Sequence, residues 1–140
     1  MTIITDTSYL FALYNSRDTN HRAAAAFAFE TASEKMLLPD VALTELAYLL
    51  VRDLGYVALL TLLENLRDGE IELVPLVRSD LSRIHDIATT YASAAFDIVD
   101  CCLMAIAERL DVTRIATFDR RDFNIFRPHH CDYLDLLPTL

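Results

Sequence analysis

Thr2-Ile3-Ile4-Thr5-Asp6-Thr7-Ser8 and Thr113-Arg114-Ile115-Ala116-Thr117-Phe118-Asp119 lie near the two ends of the chain, each a short β-branched or apolar run closed by an aspartate. Runs of this kind, bounded by polar residues, read as buried strands. After the first, Asp6-Thr7-Ser8 supplies helix-start chemistry ahead of Tyr9 to Tyr14. Outward from these two runs, helix-like stretches cover Asn20–Glu34, Pro39–Arg52, Val57–Arg67, Asp80–Tyr91 and Asp97–Leu110. Further strand candidates fall at Leu37–Leu38, Ile71–Val74 and Tyr133–Leu136. Strands alternating with helices predict an α/β sandwich of three layers, with a mostly parallel central sheet flanked by helices. In such sheets the reaction crevice lies off the carboxyl ends of the strands. Asp6 and Asp119 fall at that kind of position.

The chain has 140 residues, about one domain's worth, so a single domain over residues 1–140 is expected. A composition 54% hydrophobic and 9% aromatic excludes a disordered chain. Gly55 and Gly69 are the only glycines, which excludes a glycine-rich phosphate cradle or dinucleotide fingerprint. Lys35 is the only lysine, so lysine chemistry has one candidate. The net charge of −9 argues against a general nucleic-acid coat, whose affinity rests on phosphate neutralisation. Nucleic acid would have to be met through a local patch or through metal ions. Cys101, Cys102 and Cys131 are odd in number and lack C-x-x-C spacing, which fits a reducing cytosol. Cys101 and Cys102 read as small core residues, and His129-His130-Cys131 lacks paired zinc-ligand spacing. No basic leader precedes the first apolar run, and no uncharged run approaches the roughly eighteen residues of a membrane span. The expectation is a cytoplasmic protein with no membrane association.

Four acids stand out by context. Asp6 ends the first strand and Asp119 follows a late one. Glu45 is the only charge in Val41–Val51, and Asp100 is the only charge before Glu108 in an apolar helix. A lone carboxylate on such a helix is expected to be partly buried, and an unpaired buried charge costs several kcal/mol. Compensation comes from an arginine, a proton or a cation. Oxygen-only ligands select hard cations, Mg²⁺ or Mn²⁺. Each acid taken singly also reads as a cap, a surface charge or an arginine's partner. Asp97, three residues before Asp100, is both a natural N-cap and a rival acid. Asp86, Asp111 and Asp122 read as solvated.

Together these residues resemble a known family. Ile4-Thr5-Asp6-Thr7-Ser8, Thr44-Glu45-Leu46, the block Ile98–Leu110 around Asp100, and Ile115-Ala116-Thr117-Phe118-Asp119-Arg120-Arg121-Asp122-Phe123 occur in order. The chain looks like a PIN-domain ribonuclease, specifically a VapC-type toxin of a toxin–antitoxin pair, and the tail Arg127–Pro138 resembles the actinobacterial branch. The resemblance implies a PIN-like fold, an acidic quartet of Asp6, Glu45, Asp100 and Asp119, bound Mg²⁺ or Mn²⁺, a homodimer and a VapB-type antitoxin. Ser8 and Thr117 match positions that orient the acids, and Asp122 stands where related chains often carry histidine.

The expected reaction is hydrolysis of RNA phosphodiester bonds, with Asp6 and Asp100 as main metal ligands and Asp119 and Glu45 completing the site. Arg114, Arg120, Arg121 and Arg127, with His129 and His130, form a basic cluster in the last third of the chain that is expected to hold RNA phosphates. Surface solvation or pairing with acids is the plain alternative for that cluster. Two other classes compete. One is a phosphoaspartyl receiver or phosphatase using Asp6, against which stands the absence of lysine after Lys35. The other is a non-catalytic module whose acids hold a cation for a protein partner. The apolar faces around Leu59-Leu60 and Leu62-Leu63 suit either a second copy or an antitoxin helix.

Overall fold

The computed structural model describes residues 1–140. Five strands, β1 (Thr2–Thr5), β2 (Lys35–Pro39), β3 (Glu72–Val74), β4 (Arg114–Ala116) and β5 (Asp135–Leu137), form one sheet in the order β3-β2-β1-β4-β5. Every pairing is parallel. Seven helices connect and cover them: α1 (Thr7–Tyr14), α2 (His21–Glu30), α3 (Asp40–Leu54), α4 (Tyr56–Arg67), α5 (Asp80–Thr90), α6 (Ile98–Leu110) and α7 (Arg121–Ile125). The mostly parallel sandwich expected from the sequence is therefore a wholly parallel one.

Alternation along β1 builds the layers. Ile3 joins a core formed with Tyr9, Leu10, Leu46, Leu50 and Leu62 from α1, α3 and α4. Its neighbour Ile4 joins the opposite core, with Ile84, Ile87 and the α6 run Cys101–Ala107. Successive strand side chains point to opposite faces, so two adjacent isoleucines anchor two helical layers. All seven residues from Cys101 to Ala107 are buried, so α6 is enclosed on every side. Cys101 and Cys102 are thus core residues, as their apolar neighbours indicate.

The chain steps outward from β1 to β2 and β3, then crosses back to place β4 on the other side of β1. That reversal is a topological switch point, and its crevice opens at the carboxyl ends of β1 and β4. The Asp6 N–H donates to Ala116 O at 2.9 Å, tying the two strand ends together.

Three local expectations shift. Helix α2 stops at Glu30, with Thr31 as its C-cap and the Thr31 hydroxyl bonded back to Phe27 O at 2.7 Å. The last strand begins at Asp135 rather than Tyr133. Helix α7 is a single turn with too few residues to show a periodic pattern.

Candidate active site

Six carboxylates line one cavity of about 570 Å³ at the switch point: Asp6, Glu45, Asp97, Asp100, Asp119 and Asp122. Asp6 enters from the end of β1 and Asp119 from the loop after β4. Glu45 comes from α3, Asp97 and Asp100 from the start of α6, and Asp122 from α7. Arg121 is the one basic residue on the wall.

Asp6 is held by two hydroxyls. Its Oδ2 accepts the Thr117 hydroxyl at 2.8 Å and the Ser8 hydroxyl at 3.1 Å. Those hydroxyls in turn accept backbone N–H groups of the loop after β4. Ser8 Oγ takes Phe118 N–H at 3.0 Å, and Thr117 Oγ1 takes Asp119 N–H at 3.1 Å. Two small hydroxyls thus fix one carboxylate and the loop carrying another. Burial still pushes the Asp6 carboxyl above its ordinary range, against these hydrogen bonds, and the charge of Asp119 adds to the push.

Asp100 is 6% exposed and strongly perturbed. Burial pushes its pKa up to about 9, helped by a hydrogen bond with the Asp122 carboxyl and by the charges of Asp6, Asp122 and Asp119. A carboxyl buried among other acids holds its proton unless a cation offsets the charge, and Asp100 is the group so placed. Asp97 caps α6, its Oδ1 accepting the Val99 N–H at 2.9 Å, and it also faces the cavity.

Two expectations are corrected. Glu45 is exposed, not buried. Its helix turns Ala42, Leu46 and Leu50 inward, leaving Glu45 on a flank with Tyr48, which is 66% exposed. Desolvation of its carboxyl against the cavity wall, and the charges of Asp6, Asp97 and Asp119, nonetheless hold that group above the usual range although the residue as a whole is exposed. Asp122 is 6% exposed rather than solvated. The short helix α7 turns it inward, where its carboxyl accepts the Asp97 N–H at 3.0 Å, and no periodic pattern in the sequence signals that turn.

The basic cluster disperses. Arg114 pairs with Glu34 at 3.0 Å, both at the amino-terminal ends of the strands and away from the cavity. Arg120 donates to Thr117 O and Pro138 O, and Arg127 to Asn124 O and Phe126 O. His130 bonds Val112 O at 2.7 Å, and His129 lies beside Arg83 and Glu108 in a different cleft. Of these residues, Arg121 alone lines the acidic cavity. Arg114 is neutralised by a carboxylate, whereas Arg120 and Arg127 are held by backbone carbonyls.

The donor set fits a hard divalent cation: every polar wall group except Arg121 offers oxygen, and three of the acids are held protonation-prone by burial and mutual repulsion. No three His, Cys, Asp or Glu side chains form a ready-made cage. The Thr7 hydroxyl, also on this wall, is buried without a partner.

The model of the PIN domain family matches residues 3–127. Ribonuclease VapC26 of Mycobacterium tuberculosis H37Rv is 29% identical over 126 residues, covering 90% of this chain and 93% of its own. Among solved structures, the sarcin-ricin loop cleaving toxin VapC20 of Mycobacterium tuberculosis superposes with a TM-score of 0.78 at 17% identity, over 88% of this chain and 94% of its own. VapBC2 from Rickettsia felis, solved bound to a promoter DNA fragment, gives 0.70 at 14% identity over 98% of both chains. With the family model spanning nearly the whole sandwich, the chain belongs to the PIN domain family.

Proposed function

We propose that this chain is a VapC-type endoribonuclease, the toxin of a toxin–antitoxin pair, hydrolysing RNA phosphodiester bonds with Mg²⁺ or Mn²⁺. The observation that carries the proposal is the set of carboxylates gathered at the switch point of a PIN-family sheet. Asp6 and Asp100 would hold the ion, with Asp119 and Glu45 completing its surroundings directly or through water. A bound divalent ion supplies a water acidic enough to attack near neutral pH and offsets charge building on the phosphoryl oxygens.

The protein's own groups set the stage for that chemistry. Ser8 and Thr117 hold Asp6 in one orientation, so little rearrangement is needed when substrate arrives. A cation held beside Asp100 would displace the proton that burial keeps on it, so metal loading would release protons. Arg121 is the group positioned to meet a phosphate beside the acids. The proposal includes a VapB-type antitoxin, a homodimer and a cytoplasmic setting. No helix is long and apolar enough to cross a membrane. The outer face of α4, with Tyr56, Val57, Leu60 and Leu63 all exposed, offers an apolar surface to a protein partner.

Purified protein incubated with defined RNAs, with and without Mn²⁺, tests the activity. Wild type should cut only with the metal, and Asp6→Asn or Asp100→Asn should lose at least about a hundredfold. A binding module would cut under no condition, and a phosphoaspartyl enzyme would instead take up label at Asp6 from a phosphodonor.

A further inference from the structure

The loop between α5 and α6 carries an unusual amount of constraint for so short a segment. Ala95 sits at φ +51°, a left-handed conformation that alanine adopts at a cost. Tyr91 stacks on Phe96 with ring centroids 4.7 Å apart. Both Ala95 and Asp97 line the acidic cavity. Something outside the loop has to hold it there, and the contacts converge on α7.

Asp122 is the centre of those contacts. Its Oδ2 accepts the Asp97 N–H at 3.0 Å, and its Oδ1 accepts Arg121 Nη1 at 2.8 Å. Arg121 Nη2 reaches on to Ala94 O at 2.6 Å, so the arginine spans from Asp122 to the loop. The same Asp122 carboxyl is within hydrogen-bonding reach of Asp100. One buried side chain therefore touches the backbone that leads into α6 and the acid on the first turn of α6. Both oxygens of Asp122 are already engaged by donors of this chain, whereas Asp6 is engaged by side-chain hydroxyls through Oδ2.

We propose that Asp122 is a positioning residue: it clasps the 94–97 loop and aims the Asp100 carboxyl into the cavity without itself acting as a metal ligand. The proposal rests on the nuclease reading for its consequence, but its structural half stands apart from any activity. It separates Asp122 from the other five acids of the cavity, to which composition and location alone would assign the same role. Arg121 then has two tasks, one Nη on each side of the clasp, with its exposed edge left for an anion.

Two measurements on Asp122→Asn and Asp122→Ala distinguish the roles. The first is amide hydrogen exchange at Asp97 and Ala95 in the metal-free protein. Asparagine keeps an oxygen for the Asp97 N–H, so exchange should stay near wild type, whereas alanine should speed it at least about tenfold. The second is Mn²⁺ binding without RNA, followed by the electron paramagnetic resonance of free Mn²⁺. Alanine should weaken binding about 10–100-fold, the scale seen when groups that orient ligands are removed, with asparagine restoring it to within about threefold. Equal losses in both variants would make Asp122 a ligand and overturn the proposal, as would exchange unchanged in Asp122→Ala. Should Asp122→Ala not fold, Arg121→Ala removes the outer half of the clasp from an exposed position and should speed exchange at Ala95. No change there would equally overturn it. If wild type binds no Mn²⁺, the nuclease reading fails, while the exchange data still decide whether the clasp exists.

Discussion

Thr117 shows how much of the cavity's geometry depends on a single hydroxyl. It is fully buried, donates to Asp6 Oδ2 at 2.8 Å and accepts the Asp119 N–H at 3.1 Å. Thr117→Val keeps the shape and removes both bonds. Mn²⁺ affinity, read by titration, should fall about 10–100-fold while the fold persists. Asp100 carries a second consequence at this scale. Its folded-state pKa of about 9 lies far above the ordinary carboxylate value, and those of Asp6 and Glu45 are raised in the same direction. Between those limits the folded protein binds more protons than the unfolded chain, so stability falls as pH rises toward 9. In EDTA the melting temperature should therefore be higher at pH 5.5 than at pH 8.5, Asp100→Asn should flatten the difference, and saturating Mn²⁺ should narrow or reverse it. A melting temperature that rises with pH in EDTA would contradict the assigned burial. The sequence makes Asp100 conspicuous as a lone charge in an apolar helix. It hides Asp122, because an aspartate flanked by arginine and followed by polar Asn124 looks solvated until the turn of α7 folds it inward.

Among the elements, those with long apolar periods are readable and the single turns are not. Helix α6 is legible because seven consecutive buried residues leave no polar face to confuse its boundaries. Helix α7 has five residues, and nothing in its composition separates it from a loop. Between α3 and α4 the chain turns through Gly55 at φ +87°, with open space where a Cβ would lie. Gly55→Ala is thus a test of backbone strain alone, and should cost about 1 kcal/mol in chemical denaturation without loss of Mn²⁺ binding. A larger loss would mean that the α3–α4 junction repacks.

For the whole molecule, the alternation of strands and helices dictated the layers, and the order of the sheet gathered acids spaced over more than a hundred residues. The dispersal of Arg114, Arg120 and Arg127 was not legible, since a sequence lists charges without their partners: Arg114 meets Glu34 across the fold, and Arg120 and Arg127 fold onto backbone carbonyls. The cavity is left strongly acidic, so under the proposed function RNA would be drawn in by the cation and Arg121 rather than by a basic surface. In cells, expression of the wild-type chain should arrest growth, Asp6→Asn should not, and co-expression of the cognate antitoxin should restore it; unaffected growth with wild type would speak against a toxin. The most direct test of the shared-ion site is anomalous diffraction from crystals equilibrated with Mn²⁺. A peak between Asp6 and Asp100, with Asp119 turned toward it, is the expected result; manganese bound elsewhere, or none at millimolar concentration, would contradict it.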